Sequence, residues 1–404
     1  MYSAKIEVPE TQKKFLGLPK NIFFLGLTSF FNDFSSEMVF AAFPAFFTSV
    51  LHAGAASLGL VDGIAEAASN FFKIYSGHLS DKFQNRKPLV VFGYSLSVVT
   101  RPFYMFVGSV APVLGLRFLD RVGKGVREAP RDAIISLSIP REELGRSFGY
   151  HRAMDTAGAI LGPLAAYLIL RFYPGRFDAV FMTSFFVGIG ALFTLFFIHD
   201  IKTAFTSKRE NIIGSFTRLP LRFKLFLLSV LILSAGSLPV AIILLKTQSL
   251  GLIIADIPLF YMIYNLSYIA FSIPAGHVSD KVGAPLVILA GYGALLVSYF
   301  TLNAANSITV LIVGFLILGL FPALTDGVQR AFTAHSVQKE LQGGAFGFLN
   351  AATGFGALLA GIVGGYLWQT YTPEVAFMIG GVLILLGLCV FSISTILGGR
   401  PKAL

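Results

Sequence analysis

The sequence predicts an all-α membrane protein built as two six-helix bundles, and three observations predict it. Of 404 residues, 55% are hydrophobic and only 13% are charged, and the mean hydropathy is +0.75. That balance excludes disorder and most soluble folds. The apolar residues fall in repeated runs of about 20, the length needed to cross a hydrocarbon core of ~30 Å. Landmarks in the first half also return in the second at one offset.

Against this background stands Arg117–Asp132, reading RFLDRVGKGVREAPRD. Arg117, Asp120, Arg121, Lys124, Arg127 and Arg131 recur at spacings of three and four, so a helix gathers them along one side. A charge near a bilayer centre costs about 2.5–3.5 kcal/mol on insertion scales. This face must therefore line a protein interior or a watery cleft, opposite acids.

Taken in order, the first span covers residues 21–50 with Asn32, Asp33 and Glu37, and the second 57–79 with Asp62, Glu66, Asn70 and Lys73. The third is 89–107, and the basic fourth 112–136. The fifth and sixth are 145–170 and 179–198. Residues 199–221, the longest polar stretch, read as a linker between halves 1–198 and 222–404. Six further spans follow, at 223–245, 257–278, 285–303, 308–331, 343–368 and 375–397.

Alternating spans put Lys82, Arg86, Lys87, Arg141, Arg146, the linker, Lys281, Lys339, Arg400 and Lys402 on one side with the N-terminal tail. Only Arg171, Arg176 and Lys246 lie opposite. An excess of Lys and Arg marks cytoplasmic loops, so both termini are expected in the cytoplasm and the protein in the inner (cytoplasmic) membrane. The same asymmetry accounts for the net charge of +10, so nucleic acid is not an expected partner. Lys5, Lys13, Lys14 and Lys20 precede an apolar run without a cleavage signature, which reads as a retained first helix. Cys389 is the single cysteine, which leaves no disulfide framework and no cysteine-based metal site. Neither cofactor nor metal is expected.

The repeat is explicit. Gly77-His-Leu-Ser-Asp81-Lys82 returns as Gly276-His-Val-Ser-Asp280-Lys281, 199 residues later. Gly145-Arg-Ser-Phe-Gly149 opens the fifth span, and Gly343-Gly-Ala-Phe-Gly347 opens the eleventh, 198 residues on. Two halves of the same orientation imply parallel repeats about an axis along the membrane normal, with a site at their interface near the midplane.

These residues resemble the major facilitator superfamily along the whole chain. Its loop motif resembles Gly77-x3-Asp81-Lys82-x3-Arg86-Lys87, with Gln84 or Asn85 where a glycine is usual; the second copy keeps Gly283 but has Ala284-Pro285 for the basic pair. The fourth-span motif resembles Arg117-Phe-Leu-Asp120-Arg121-Val-Gly123, with Arg121 in place of a glycine. The fifth-span antiporter signature is visible as Gly149, Gly158 and Gly162-Pro163, with Ala166-Tyr167 at its final glycine pair. The resemblance implies an alternating-access transporter and names no substrate.

Within that frame, Asp81 faces the N-terminus of the eleventh span, where exposed N–H groups attract a carboxylate by roughly 0.3–1 kcal/mol. The contact is either a latch or merely a tight turn beside positive-inside lysines. At ~1.5 Å per residue, Glu37 is expected level with Arg117 and Asp33 with Arg121, with Glu66 and Asp155 near the midplane. Asp33, Glu37, Glu66 and Asp155 are therefore candidate proton carriers, and Arg117, Arg121, Lys124 and Arg127 the competing cations. The alternative is a set of fixed ion bridges tying spans 1, 2 and 4 together.

His151 and Arg152 lie near the inner end of the fifth span, level with Arg127. His151 reads as a solvated rim residue, with a proton relay as the alternative. Gly158 and Gly162 allow close helix contact and Pro163 invites a kink. In the second half, Tyr261, Tyr264, Asn265 and Tyr268 either present phenols to a cleft or simply pack between helices; Asp326 and Arg330 fall at the inner rim. The expectation is a monomeric proton-coupled transporter, not an enzyme, that exports a small amphipathic organic solute. The alternative is a proton symporter importing an anionic metabolite or siderophore-like chelator.

Overall fold

A computed structural model describes residues 14–15, 18–83, 85–140, 143–200, 216–338 and 341–396. Arg141, Lys339, Arg400, Lys402 and linker residues 201–215 lie outside the described residues, as do the side chains of Asp81 and Lys82. Helices α1 (Lys20–Ser49), α2 (Ala55–Phe83), α3 (Lys87–Phe103), α4 (Val110–Leu137), α5 (Leu144–Phe172) and α6 (Phe177–Leu195) form the first half. The second contains α7 (Leu221–Gly236), the short α8 (Val240–Leu244), α9 (Ile257–Val282), α10 (Ala284–Asn303), α11 (Ile308–Ser336), α12 (Gln342–Thr370) and α13 (Pro373–Ile396).

Among the described residues, nine spans are long and apolar enough to cross a membrane. α1, α2 and α4 are not among them, although at 30, 29 and 28 residues they are just as long. Their charges lower the hydropathy. The helices that fail the apolar test carry the ion pairs and most of the charged lining of the site described below.

Packing follows the repeat. α1 packs on α5 and α6, α2 on α4, and α3 on α4 and α6; in the second half α7 packs on α12 and α13, α9 on α11, and α10 on α11 and α13. The seams between halves, α2 with α12 and α5 with α9, exchange under the same operation. That is the signature of a pseudo-two-fold axis.

The seventh span departs from expectation. Residues 223–245 read as one helix, but α7 stops at Gly236 and helix resumes only at Val240. Pro239 has no N–H to donate and disfavours helical backbone at Leu238. Tyr299 on α10 satisfies the interrupted backbone: its hydroxyl accepts from Leu238 N at 2.6 Å and donates to Gly236 O at 3.1 Å.

The halves meet tightly at the face away from the termini. There, one buried apolar cluster joins Phe40, Phe43 and Phe46 to Ile242, Ile243, Phe260 and Tyr261. The amide of Ala56 donates to Gln369 Oε1 at 3.0 Å, and Gln248 Nε2 to Thr48 at 2.9 Å, both across the halves. Gly59 and Gly361 bring two backbones together: a Cβ on Gly361 would sit 2.3 Å from the Gly59 carbonyl oxygen. Toward the termini face, a separate cluster around Tyr94, Ile134 and Ile135 belongs to the first half alone. α9 is largely exposed from Ala270 onward, while α2 still runs beside α12 at Ile74 and Gly347. The molecule is thus closed at the far face and parted along α5 and α9 near the termini.

Candidate functional site

α1, α4 and α5 enclose a polar cavity of about 120 Å³. α1 contributes Asp33, Ser36 and Glu37, and α5 contributes Arg152 and Asp155. α4 supplies Asp120, Arg121, Lys124, Arg127, Glu128 and Arg131. The charged stripe therefore faces inward, as the insertion cost requires. The cavity is lined by the first half, although the repeat pointed to a site at the interface of the halves near the midplane.

The ion pairs differ from the depth estimate. Arg117 pairs with Asp62 at 3.3 Å and Asp120 at 3.4 Å, not with Glu37. Arg121 pairs with Glu66 at 3.5 Å and Asp120 at 3.9 Å, not with Asp33. Height along a helix says nothing of which way a side chain points, and α2 packs on α4 far more than α1 does. Glu66 is accordingly bound to a cation as a bridge between α2 and α4. Arg117 also lies over the rings of Phe40 and Phe43, 5.0 and 5.1 Å from their centroids, where a guanidinium meets the negative faces of the rings. Asp62, named in the sequence only as a charge on the second span, is the principal partner that sequence reasoning missed.

Asp33 and Glu37 are left without ion-pair partners among the described residues. Asp33 accepts from the Asn32 amide at 3.1 Å. Glu37 accepts from the Tyr261 hydroxyl at 2.6 Å, a bond that crosses between the halves. Across the cavity, Arg127 donates to Ser97 at 2.7 Å and stacks on Tyr94 at 4.5 Å, and Lys124 forms no ion pair among the described residues.

Asp155 accepts from Ser29 and lies 3.4 Å from His151 Nδ1 and 3.8 Å from Arg152. His151, expected to be solvated, is buried, because the following turns of α5 press onto α1. Gly158 and Gly162 make that approach: a Cβ on either would fall within 2.7 Å of the α1 backbone, behind Asp33 and Glu37 respectively. Gly158 and Gly162 thus seat the two carboxylates that form no ion pair among the described residues. Gly149 meets nothing within 4 Å, and α5 runs unbroken through Pro163.

The tyrosine row divides. Tyr261 and Tyr264 stack at 5.8 Å. Asn265 donates to the Ala159 carbonyl on α5 at 3.0 Å, and so ties the halves instead of lining the cavity. Tyr268 turns to Asp326 of its own half at 3.0 Å. In the loop motif, Gly77 packs near Ala129 of α4. The backbone amides of Arg86 and Lys87 donate to Asp200 at 2.8 and 3.1 Å, so a carboxylate from the end of α6 caps α3. Gly276, Asp280 and Lys281 are all exposed.

One buried charge went unread. Arg101 near the end of α3 is 2% exposed and donates to Ser35 and, at 3.2 Å, to Asn32. The signal was a cation in an otherwise apolar span, beside Pro102.

The family model of the Major Facilitator Superfamily matches residues 25–236 and again 225–403. The chain belongs to this superfamily. It is 36% identical over 381 residues to an uncharacterized MFS-type transporter of Methanocaldococcus jannaschii, covering 91% of this chain and 93% of that one. It is 22% identical over 399 residues to the proton-coupled antiporter flippase LtaA of Staphylococcus aureus, covering 95% and 97%. In fold it is similar to the crystal structure of the nucleoside transporter NupG, with TM-score 0.76 and 15% identity over 93% and 98% of the two chains. The peptide transporter POT in complex with sulfate gives 0.76 and 15% over 96% of each. This superfamily member is therefore a multi-pass membrane transporter, from a family that moves solutes and does not catalyse reactions.

Proposed function

We propose that this transporter is a proton-coupled antiporter that exports a small amphipathic organic solute by alternating access. Its halves, residues 1–198 and 222–404, would rock about the charged cavity in a monomer, with both termini in the cytoplasm. The observation that carries the reading is Glu37: an acid without an ion-pair partner among the described residues, in a polar cavity, bonded to Tyr261 of the opposing half. A phenol donates more strongly to a carboxylate than to a neutral acid. Protonating Glu37 weakens the tie between halves, and ionising it restores the tie. Asp33, one turn away, shares the cavity, and two carboxylates so placed disfavour holding two charges together. A cationic or strongly polar solute competes with protons for the same pair, which is the requirement for exchange.

Antiport is supported by the glycine signature of α5, whose members seat these acids, and by the likeness to LtaA, itself a proton-coupled antiporter. Import of an anion by symport is the second reading. Lys124, a cation without a carboxylate partner among the described residues, favours it. A thermal-shift screen of drugs, chelators and carboxylates on purified protein supplies a solute. Proton movement in proteoliposomes then decides: protons running opposite to the solute support antiport, and protons running with it establish symport.

A further inference from the structure

Arg101 occupies a place that the transport reading leaves unused. It is buried at the centre of the first half and makes no ion pair among the described residues. Its guanidinium is held by neutral groups: Nη1 donates to Ser35 Oγ and Nη2 to Asn32 Oδ1 at 3.2 Å. Ser35 is itself fixed, because its hydroxyl donates to the Ser184 carbonyl and the Ser184 hydroxyl donates back to the Ser35 carbonyl at 2.7 Å. α6 also leaves room for the charge, since a Cβ on Gly188 would lie 2.3 Å from Arg101 Nη1.

The bond to Asn32 has a directional consequence. A guanidinium can only donate, so the amide must present its oxygen to Arg101 and its NH₂ to the other side. On that side stands Asp33, whose Oδ1 accepts from Asn32 Nδ2 at 3.1 Å. A buried cation thus orders an amide so that it donates to a carboxylate, and both effects favour the charged form of that carboxylate. The charged groups facing Asp33 from the packed elements are Glu37 on its own helix, Asp155 on α5, and Lys124 and Arg127 on α4. All of them line the cavity. Arg101 acts from behind α1 and does not line that cavity; the charges that influence it are Asp120 and Arg127 on α4 and Asp33 itself.

We propose that Arg101, acting through Asn32, is the positioning residue that sets the proton affinity of Asp33. The proposal rests on the reading of Asp33 as a proton site, but its test does not need transport. Infrared titration of purified protein follows the protonated-carboxyl band, and the part lost in Asp33→Asn belongs to Asp33. In Asn32→Ala and in Arg101→Gln the protonation of Asp33 moves to higher pH, by roughly tenfold in proton affinity. Arg101→Lys, which keeps the charge, reverses part of the shift seen in Arg101→Gln, and Gly188→Ala, which displaces the guanidinium, reproduces part of that shift. Should Arg101→Gln fail to fold, Asn32→Ala decides alone, because it leaves the bond to Ser35 intact.

An Asp33 titration that Asn32→Ala leaves unchanged overturns the proposal. So does an Arg101→Lys variant shifted as far as Arg101→Gln, since a purely structural role predicts no rescue by charge. Failure of the transport reading shows up separately, as proton-driven flux that survives Asp33→Asn while the infrared shifts persist.

Discussion

The α2–α4 pair of the first half and the α9–α11 pair of the second share one fold and have opposite interiors. At the offset of 199 residues, Arg117, Asp120, Arg121 and Lys124 correspond to Leu316, Gly319, Leu320 and Ala323, while Asp62 and Glu66 correspond to Tyr261 and Asn265. In the first half the carboxylates of α2 are spent on arginines of the same half. In the second the cations are gone, and the phenol and amide that replace the acids reach across to Glu37 and to the Ala159 carbonyl. Charge holds one half together, and the matching positions of the other hold the two halves to each other. The duplication supplied a scaffold whose equivalent sites took up an internal role in one copy and an inter-half role in the other.

Breaking the internal role has the largest effect. Arg117→Ala strands Asp62 in a buried setting and leaves Asp120 only its longer contact with Arg121, an expected loss of about 3–5 kcal/mol. It reads as a sharply lower melting temperature in detergent, and an unchanged one would show that the pair is not structural.

Tyr261→Phe tests the inter-half role. Losing a hydrogen bond to a charged acceptor costs about 1.5–3 kcal/mol, and in a Glu37→Gln background the loss shrinks by more than half. A double-mutant cycle with no coupling between the two positions would deny the bond its part in joining the halves. The smallest effect falls at the closed face. Gln369 of one half caps the N-terminus of α2 in the other, so Gln369→Ala costs about 0.5–1 kcal/mol of closed state. In a Cys389→Ser background, a cysteine placed at Thr48 then labels faster; equal labelling rates would mean that the cap does not hold that face shut.

Much of this architecture was legible in the chain. The apolar runs and the repeated Gly77 and Gly276 segments specify twelve spans in two copies, and the cost of burying charge forces the α4 stripe inward. What was not legible depends on azimuth and on tertiary neighbours. Depth placed Glu37 level with Arg117, but only packing decides that Asp62 reaches it first. Spacing grouped Asn265 with the tyrosines and left a cleft and packing between helices both open, because spacing cannot show that the α5 backbone lies opposite. Arg101 escaped notice because a single cation in an apolar span lacks the periodicity that exposed α4. Pro239 did carry a readable signal, and the surrounding hydrophobicity concealed it.

The claim on which the account depends is that the α1 carboxylates turn a proton gradient into movement of the halves. Solute exchange and gradient-driven transport, measured in the same proteoliposomes with a solute from the thermal-shift screen, separate binding from coupling in the Asp33→Asn, Glu37→Gln double variant. Exchange at equal pH then persists while accumulation driven by a pH gradient is abolished. Gradient-driven accumulation at the rate of the unaltered protein would contradict the claim.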